Sequence, residues 1–178
     1  MDMSSRRKLT STTFAILFAS MALLASCTTD GGAPSDAPRG DTNNSSNSSG
    51  ASMPEVSGAA NEAPTISAPQ GNPPSELEVK DVIEGSGASA GPDSTLTVHY
   101  TLMAWSTGEI VESSWSSQPA TFGLNQVIVG WQQGIPGMKE GGRRLLVIPP
   151  ALGYGEAGGG PIGPNETLIF VVDLIKVN

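Results

Sequence analysis

Val127-Ile128-Val129-Gly130-Trp131-Gln132-Gln133-Gly134-Ile135-Pro136-Gly137-Met138 is the stretch that decides the fold of this chain. Three β-branched residues arrive at a glycine, a short polar turn carries Trp131, and Gly134, Pro136 and Gly137 stop it. Proline disfavours helical backbone at the residue before it, so the segment can hold only a few turns of helix. A helix that short is marginal alone and needs tertiary support. The expected arrangement is a sheet wrapped over it, with Trp131 pointing between helix and sheet. A tryptophan held there either plugs the core or floors a pocket, and the pattern leaves both readings open.

Strands on either side supply the sheet. Residues 77–83 and 95–102 alternate apolar and polar, as half-buried strands do. Residues 109–115 are extended, 120–124 form a short strand, and 143–148 form a strand stopped by Pro149-Pro150. A glycine-rich loop covers 153–164, and 167–177 is a long closing strand. Several strands with one short helix predict an α+β domain over residues 76–178, in which an antiparallel sheet covers the helix on one face. About 100 residues suffice for a single core.

The full chain has 178 residues and a formal net charge of −8, with no basic block of the kind nucleic-acid binding requires. One histidine and one cysteine exclude a His/Cys transition-metal cluster. No metal or cofactor is expected. No heptad or apolar repeat suggests assembly, so a monomer is expected.

The first 75 residues read as an address and a tether. Arg6, Arg7 and Lys8 precede an apolar run from Phe14 to Leu24, the charged and hydrophobic parts of an export signal over residues 1–26. The run is too short for a comfortable membrane span. Leu24-Ala25-Ser26-Cys27 resembles a bacterial lipobox, which implies cleavage before Cys27, lipid attachment to it, and an extracytoplasmic domain anchored to a bacterial membrane. Removing Asp2, Arg6, Arg7 and Lys8 with the signal leaves 6 basic and 16 acidic residues, a net of −10. Residues 27–75 are rich in Gly, Ser, Asn, Pro, Ala and Thr, and this composition predicts a disordered tether. Its reach would be roughly 35–40 Å.

Val98-His99-Tyr100-Thr101, Gly130 to Met138, Gly141-Gly142-Arg143-Arg144, Ile148-Pro149-Pro150, Gly153-Tyr154-Gly155 and Thr167 to Leu174 together resemble the FKBP-type peptidyl-prolyl isomerases. The likeness covers residues 76–178 in order. It implies a curved five- or six-stranded antiparallel sheet wrapped around one short helix, and a non-covalent isomerase acting on X-Pro bonds of exported, folding polypeptides. It also implies a role for each matching position. Trp131 becomes the floor under the proline ring, and Tyr100, Phe122, Val127, Ile128 and Phe170 its walls. The Ile128 N–H and Tyr154 hydroxyl become donors to ligand carbonyls, and Ile162 the apolar position of an overhanging loop. Without the resemblance, Phe122, Val127 and Phe170 read simply as core. His99 then faces outward or satisfies a local hydrogen bond, and Glu109 and Glu140 are solvated.

The chain departs from the family at Val111-Glu112-Ser113-Ser114, where Phe-Asp-Ser-Ser is usual. Val111 stands for a pocket-wall Phe, and Glu112 for an Asp that hydrogen-bonds the Tyr100 hydroxyl. The longer Glu112 either misses Tyr100 or presses into the cleft. Ala120 also replaces a common Phe, with Trp105 and Trp115 as candidates to refill the flap. Activity below that of aromatic-walled relatives and weakened binding of macrolides such as FK506 are expected. The alternative is a proline-peptide-binding module or chaperone with little turnover.

Overall fold

A computed structural model describes residues 52–178. The expected signal peptide, Cys27 and the tether up to residue 51 lie outside the described residues. The elements are β1 (Val56–Ser57), β2 (Thr65–Ile66), β3 (Glu78–Ile83), β4 (Thr95–Ala104), β5 (Ile110–Ser113), β6 (Ala120–Gly123), α1 (Val129–Gly134), β7 (Arg143–Ile148) and β8 (Leu168–Val177). Strands β3 to β8 form a six-stranded sheet in the order β3-β7-β8-β4-β5, with β6 beside the first half of β4. Every pairing is antiparallel. The α+β expectation, with a five- or six-stranded sheet and one short helix, therefore holds.

Side chains alternate between the two faces of a strand. Leu96, Val98 and Leu102 of β4, Leu146 and Ile148 of β7, and Leu168, Phe170 and Val172 of β8 share the inner face. They pack on Trp131, Ile135 and Met138 from the helix segment.

Two glycines bring the helix close to the sheet. A Cβ on Gly130 would lie 2.4 Å from Cγ2 of Ile148, and one on Gly134 would lie 2.7 Å from Cδ2 of Leu146. Four residues apart, they share one helix face and rest on two inward residues of β7. Gly134 thus does more than stop the helix. The last carbonyls of so short a helix need partners, and Arg144 supplies them. Its Nη1 donates to the carbonyls of Gly134 (2.9 Å), Ile135 (3.3 Å) and Pro136 (3.3 Å), while Nε and Nη2 hold Asp81 of β3 at 2.6 and 3.0 Å.

The outer face departs most from expectation. From Ser52 on, the chain expected as a disordered tether is folded onto the sheet. Val56 pairs with Ile66 and Ser57 with Thr65, Ser52 bridges Gln70, and Ser67 donates its N–H to the Glu55 carbonyl at 2.9 Å. This strap lays Met53, Val56 and Ile66 against Met103, Trp105, Leu145, Val147, Ile169 and Val171. Arg143, fully buried, fastens it. Nε and Nη2 bind the Asp173 carboxylate at 2.8–3.0 Å, while Nη1 and Nη2 donate to the Gly58 and Glu62 carbonyls at 3.2 and 2.6 Å. The segment has too few apolar residues to fold alone. It is ordered because the sheet offers a second apolar face on which those few can be buried.

Candidate active site

A cleft of about 390 Å³ opens on the inner side, above Trp131. Strand β4 contributes Tyr100 and Leu102, two residues apart and so on one face. Phe122 comes from β6, Phe170 from β8, and Gln126, Val127 and Ile128 from the turn leading into α1. Tyr154 reaches in from the β7–β8 loop, and Glu112 from β5.

Trp131 is 3% exposed and meets three aromatic rings largely edge-on. Phe170 lies at 5.3 Å and 88°, Phe122 at 5.4 Å and 67°, and Tyr100 at 6.0 Å and 84°. These are the offset geometries that ring quadrupoles favour. Its indole Nε1 is buried with no hydrogen-bond partner among the described residues, a polar group left unpaired beneath an apolar cleft. The tryptophan is therefore both core and floor, and the two readings of the sequence do not compete.

Two donors are free at the cleft. The Ile128 N–H has no backbone acceptor among the described residues, although its carbonyl accepts from Trp131 and Gln132. Tyr154 is 42% exposed, and a Cβ on Gly159 would lie 2.9 Å from its ring, so the tyrosine packs on bare backbone.

Glu112 does reach Tyr100: the phenol donates to Oε1 at 2.5 Å. That is the length of a charge-assisted O–H···O⁻ bond. Register explains the reach. Glu112 lies directly across from Leu102, which puts it diagonal to Tyr100 on the same face. The next pair is Met103 with Ile110, so Val111 is an extra, unpaired residue in a bulge. Half-buried against the core, Val111 is absent from the cleft wall, and Leu102 lies there instead. Ile162 likewise does not line the cleft. It is buried in the inner core and doubly hydrogen-bonded to Gly159 at the base of the loop.

Neither candidate tryptophan refills the flap. Trp105 is buried beneath the strap, and Trp115 stacks on His99 at 4.2 Å and 16°. His99 Nδ1 lies 2.9 Å from the Ser114 hydroxyl, which also accepts the Tyr100 N–H at 2.9 Å. The local hydrogen bond expected for His99 thus steadies the strand carrying Tyr100. Glu140 is not simply solvated, since its carboxylate accepts the Val177 N–H at 2.7 Å. The sequence pattern does not single out Leu102 or Gln126. The i, i+2 spacing from Tyr100 would have found Leu102; Gln126 sits in a turn with no periodic signal.

The Tyr100 phenol is pushed up to about 12, first by burial and then by the hydrogen bond to Glu112, its charge and that of Tyr154. A raised folded value means the folded state holds this proton more tightly than the unfolded chain. Its stabilising contribution is full below the unfolded value of about 10 and is lost as pH rises through about 12. Absorbance titration of the folded protein should show one phenol with a midpoint near 12, absent in Tyr100→Phe. A Tyr100 midpoint at 10 would mean that the bond to Glu112 is not formed in solution.

Among the described residues no cluster could hold a metal ion. Among the described residues the site offers an aromatic floor, two donors without acceptors and one acid–phenol pair, with no nucleophile–base arrangement. Such a site can bind a twisted amide better than a planar one, without forming a bond.

Comparison with known proteins agrees. Residues 87–175 match the family model of FKBP-type peptidyl-prolyl cis-trans isomerases. An FK506-binding protein of Streptomyces anulatus is 51% identical over 121 residues, spanning 65% of this chain and 98% of that protein. Among solved structures, FkpA from Escherichia coli superposes with a TM-score of 0.55 at 38% identity, over 57% of this chain and 48% of that one. The peptidyl-prolyl cis-trans isomerase of Pseudomonas syringae pv. tomato gives 0.53 at 31% identity, over 57% and 75%.

Proposed function

This chain belongs to the FKBP-type peptidyl-prolyl cis-trans isomerases, and from that premise we propose that its cleft turns over X-Pro bonds of exported, folding polypeptides. An X-Pro bond interconverts over tens to hundreds of seconds because amide resonance raises a barrier of about 18–20 kcal/mol. Lowering it requires tighter binding of the twisted amide than of the planar one. Twisting reduces charge separation across C–N, so an apolar floor such as Trp131 favours the twisted form. The Ile128 N–H and Tyr154 hydroxyl hold the flanking carbonyls while the bond turns. The observation that carries this reading is the set of free donors above an aromatic floor.

Measured by NMR exchange on Ala-Xaa-Pro peptides, the wild type should broaden the cis and trans lines. Tyr154→Phe should lower kcat/KM by roughly 2- to 10-fold, the worth of one hydrogen bond. No exchange broadening with the wild type would refute turnover at this cleft.

Export and anchoring are supported by the charged start, the apolar run and Leu24-Ala25-Ser26-Cys27. In a bacterial host, labelled palmitate should enter the wild type and not Cys27→Ala; equal labelling would refute the lipidated cysteine. The name borne by the Streptomyces relative supports macrolide binding here too.

A further inference from the structure

We propose that Glu112 is a specificity-determining residue that makes this cleft select X-Pro bonds flanked by lysine or arginine and reject those flanked by acids. The inference rests on the isomerase reading and deepens it. Glu112 is exposed, and it is the only charged residue among those that line the cleft. Only one of its oxygens is engaged: Oε1 accepts the Tyr100 phenol, while Oε2 has no hydrogen-bond partner among the described residues. The carboxylate is thus held in place by one oxygen and open to a ligand through the other.

No cation among the described residues competes for it. The basic side chains between residues 52 and 178 are Lys80, Lys139, Arg143, Arg144 and Lys176. Arg143 and Arg144 are committed to Asp173 and Asp81. Lys80 borders the strap, Lys139 lies past the end of α1 beside Asp81 and Glu84, and Lys176 pairs across from Thr97 near the end of β8. Against this background a fixed, exposed carboxylate at the cleft attracts a basic side chain next to the proline and repels an acidic one.

The test uses the full chain and tetrapeptides with Lys, Leu or Glu immediately before the proline, and a second set with these residues immediately after it. In one of the two sets, kcat/KM should favour Lys over Glu by roughly 5- to 20-fold at low ionic strength, the sum of one attraction and one repulsion between exposed groups. The ratio should shrink toward one in about 0.5 M salt. In Glu112→Gln, which keeps an acceptor for Tyr100 without the charge, the ratio should fall below about 2-fold at any salt. Equal rates for Lys and Glu peptides in both sets, with brisk turnover of the Leu peptides, would overturn the role of Glu112 and leave the isomerase reading intact. A charge preference that survives in Glu112→Gln would also overturn it, placing the preference in the protein's net charge. Failure to turn over any peptide would refute both readings.

Discussion

Replacing Arg143 with methionine should lower the unfolding free energy by about 3–5 kcal/mol, the cost of breaking a buried ion pair by removing one partner. The substitution strands the Asp173 carboxylate, which is buried, and leaves the Gly58 and Glu62 carbonyls without their donor. The effect carries a pH signature. Burial already raises the Asp173 carboxyl above its ordinary range, outweighing the hydrogen bonds and charge of Arg143, which lower it. A carboxyl raised in the folded state contributes stability below its unfolded value of about 3.9, and that contribution is lost as pH rises through the folded value. Without Arg143 only the influence of His99 opposes burial, so Arg143→Met should lose more stability at pH 7 than at pH 4. Arg143→Met/Asp173→Leu should recover much of the loss, since no charge is left buried. Recovery should stop short of complete, because the strap carbonyls remain unpaired. Denaturant unfolding at the two pH values, with hydrogen exchange at the Ser67 amide, reads both parts. A loss under 1 kcal/mol with unchanged Ser67 protection would mean that Arg143 does not fasten the strap.

Trp131→Ala should destabilise the domain by a similar ~3–5 kcal/mol, the usual cost of deleting a large buried aromatic side chain. Its ring also makes three aromatic contacts that vanish together. Catalysis should fall by roughly 10- to 100-fold even where the variant is folded, since burial of the proline ring on the indole is worth on the order of 1–3 kcal/mol. Trp131→Phe separates the two effects. It keeps an apolar floor at lower volume, so it should lose less stability and hold kcat/KM within about tenfold of wild type. Full activity in a folded Trp131→Ala would show that the indole serves only the core.

Much of this was legible in the sequence because local rules and burial agreed. Pro136 and Gly137 ended the helix where the structure ends it, and the alternating runs became β3 and β4 within a residue or two. Eight of the ten residues proposed for the cleft do line it, because their positions follow from strand parity and from two loops of constrained geometry. Val111 escaped because a bulge changes parity, and a bulge leaves little trace in a single sequence. The strap escaped because its own composition gave no reason to fold. A signal for it did exist in other strands: Leu145-Leu146-Val147-Ile148 and Ile169-Phe170-Val171-Val172 are apolar on both faces, and an antiparallel strand with one wet face should alternate. Something had to cover the second face.

The sequence by itself determined the short helix, the strands around it and the aromatic set that meets over Trp131, because each is written in residues a few positions apart. Only the tertiary structure decided three further things: that Gly130 and Gly134 seat the helix on β7, that Glu112 reaches Tyr100, and that residues 52–70 belong to the fold. Each depends on which surfaces meet across tens of residues. Burial and register settle that, and no local pattern encodes it.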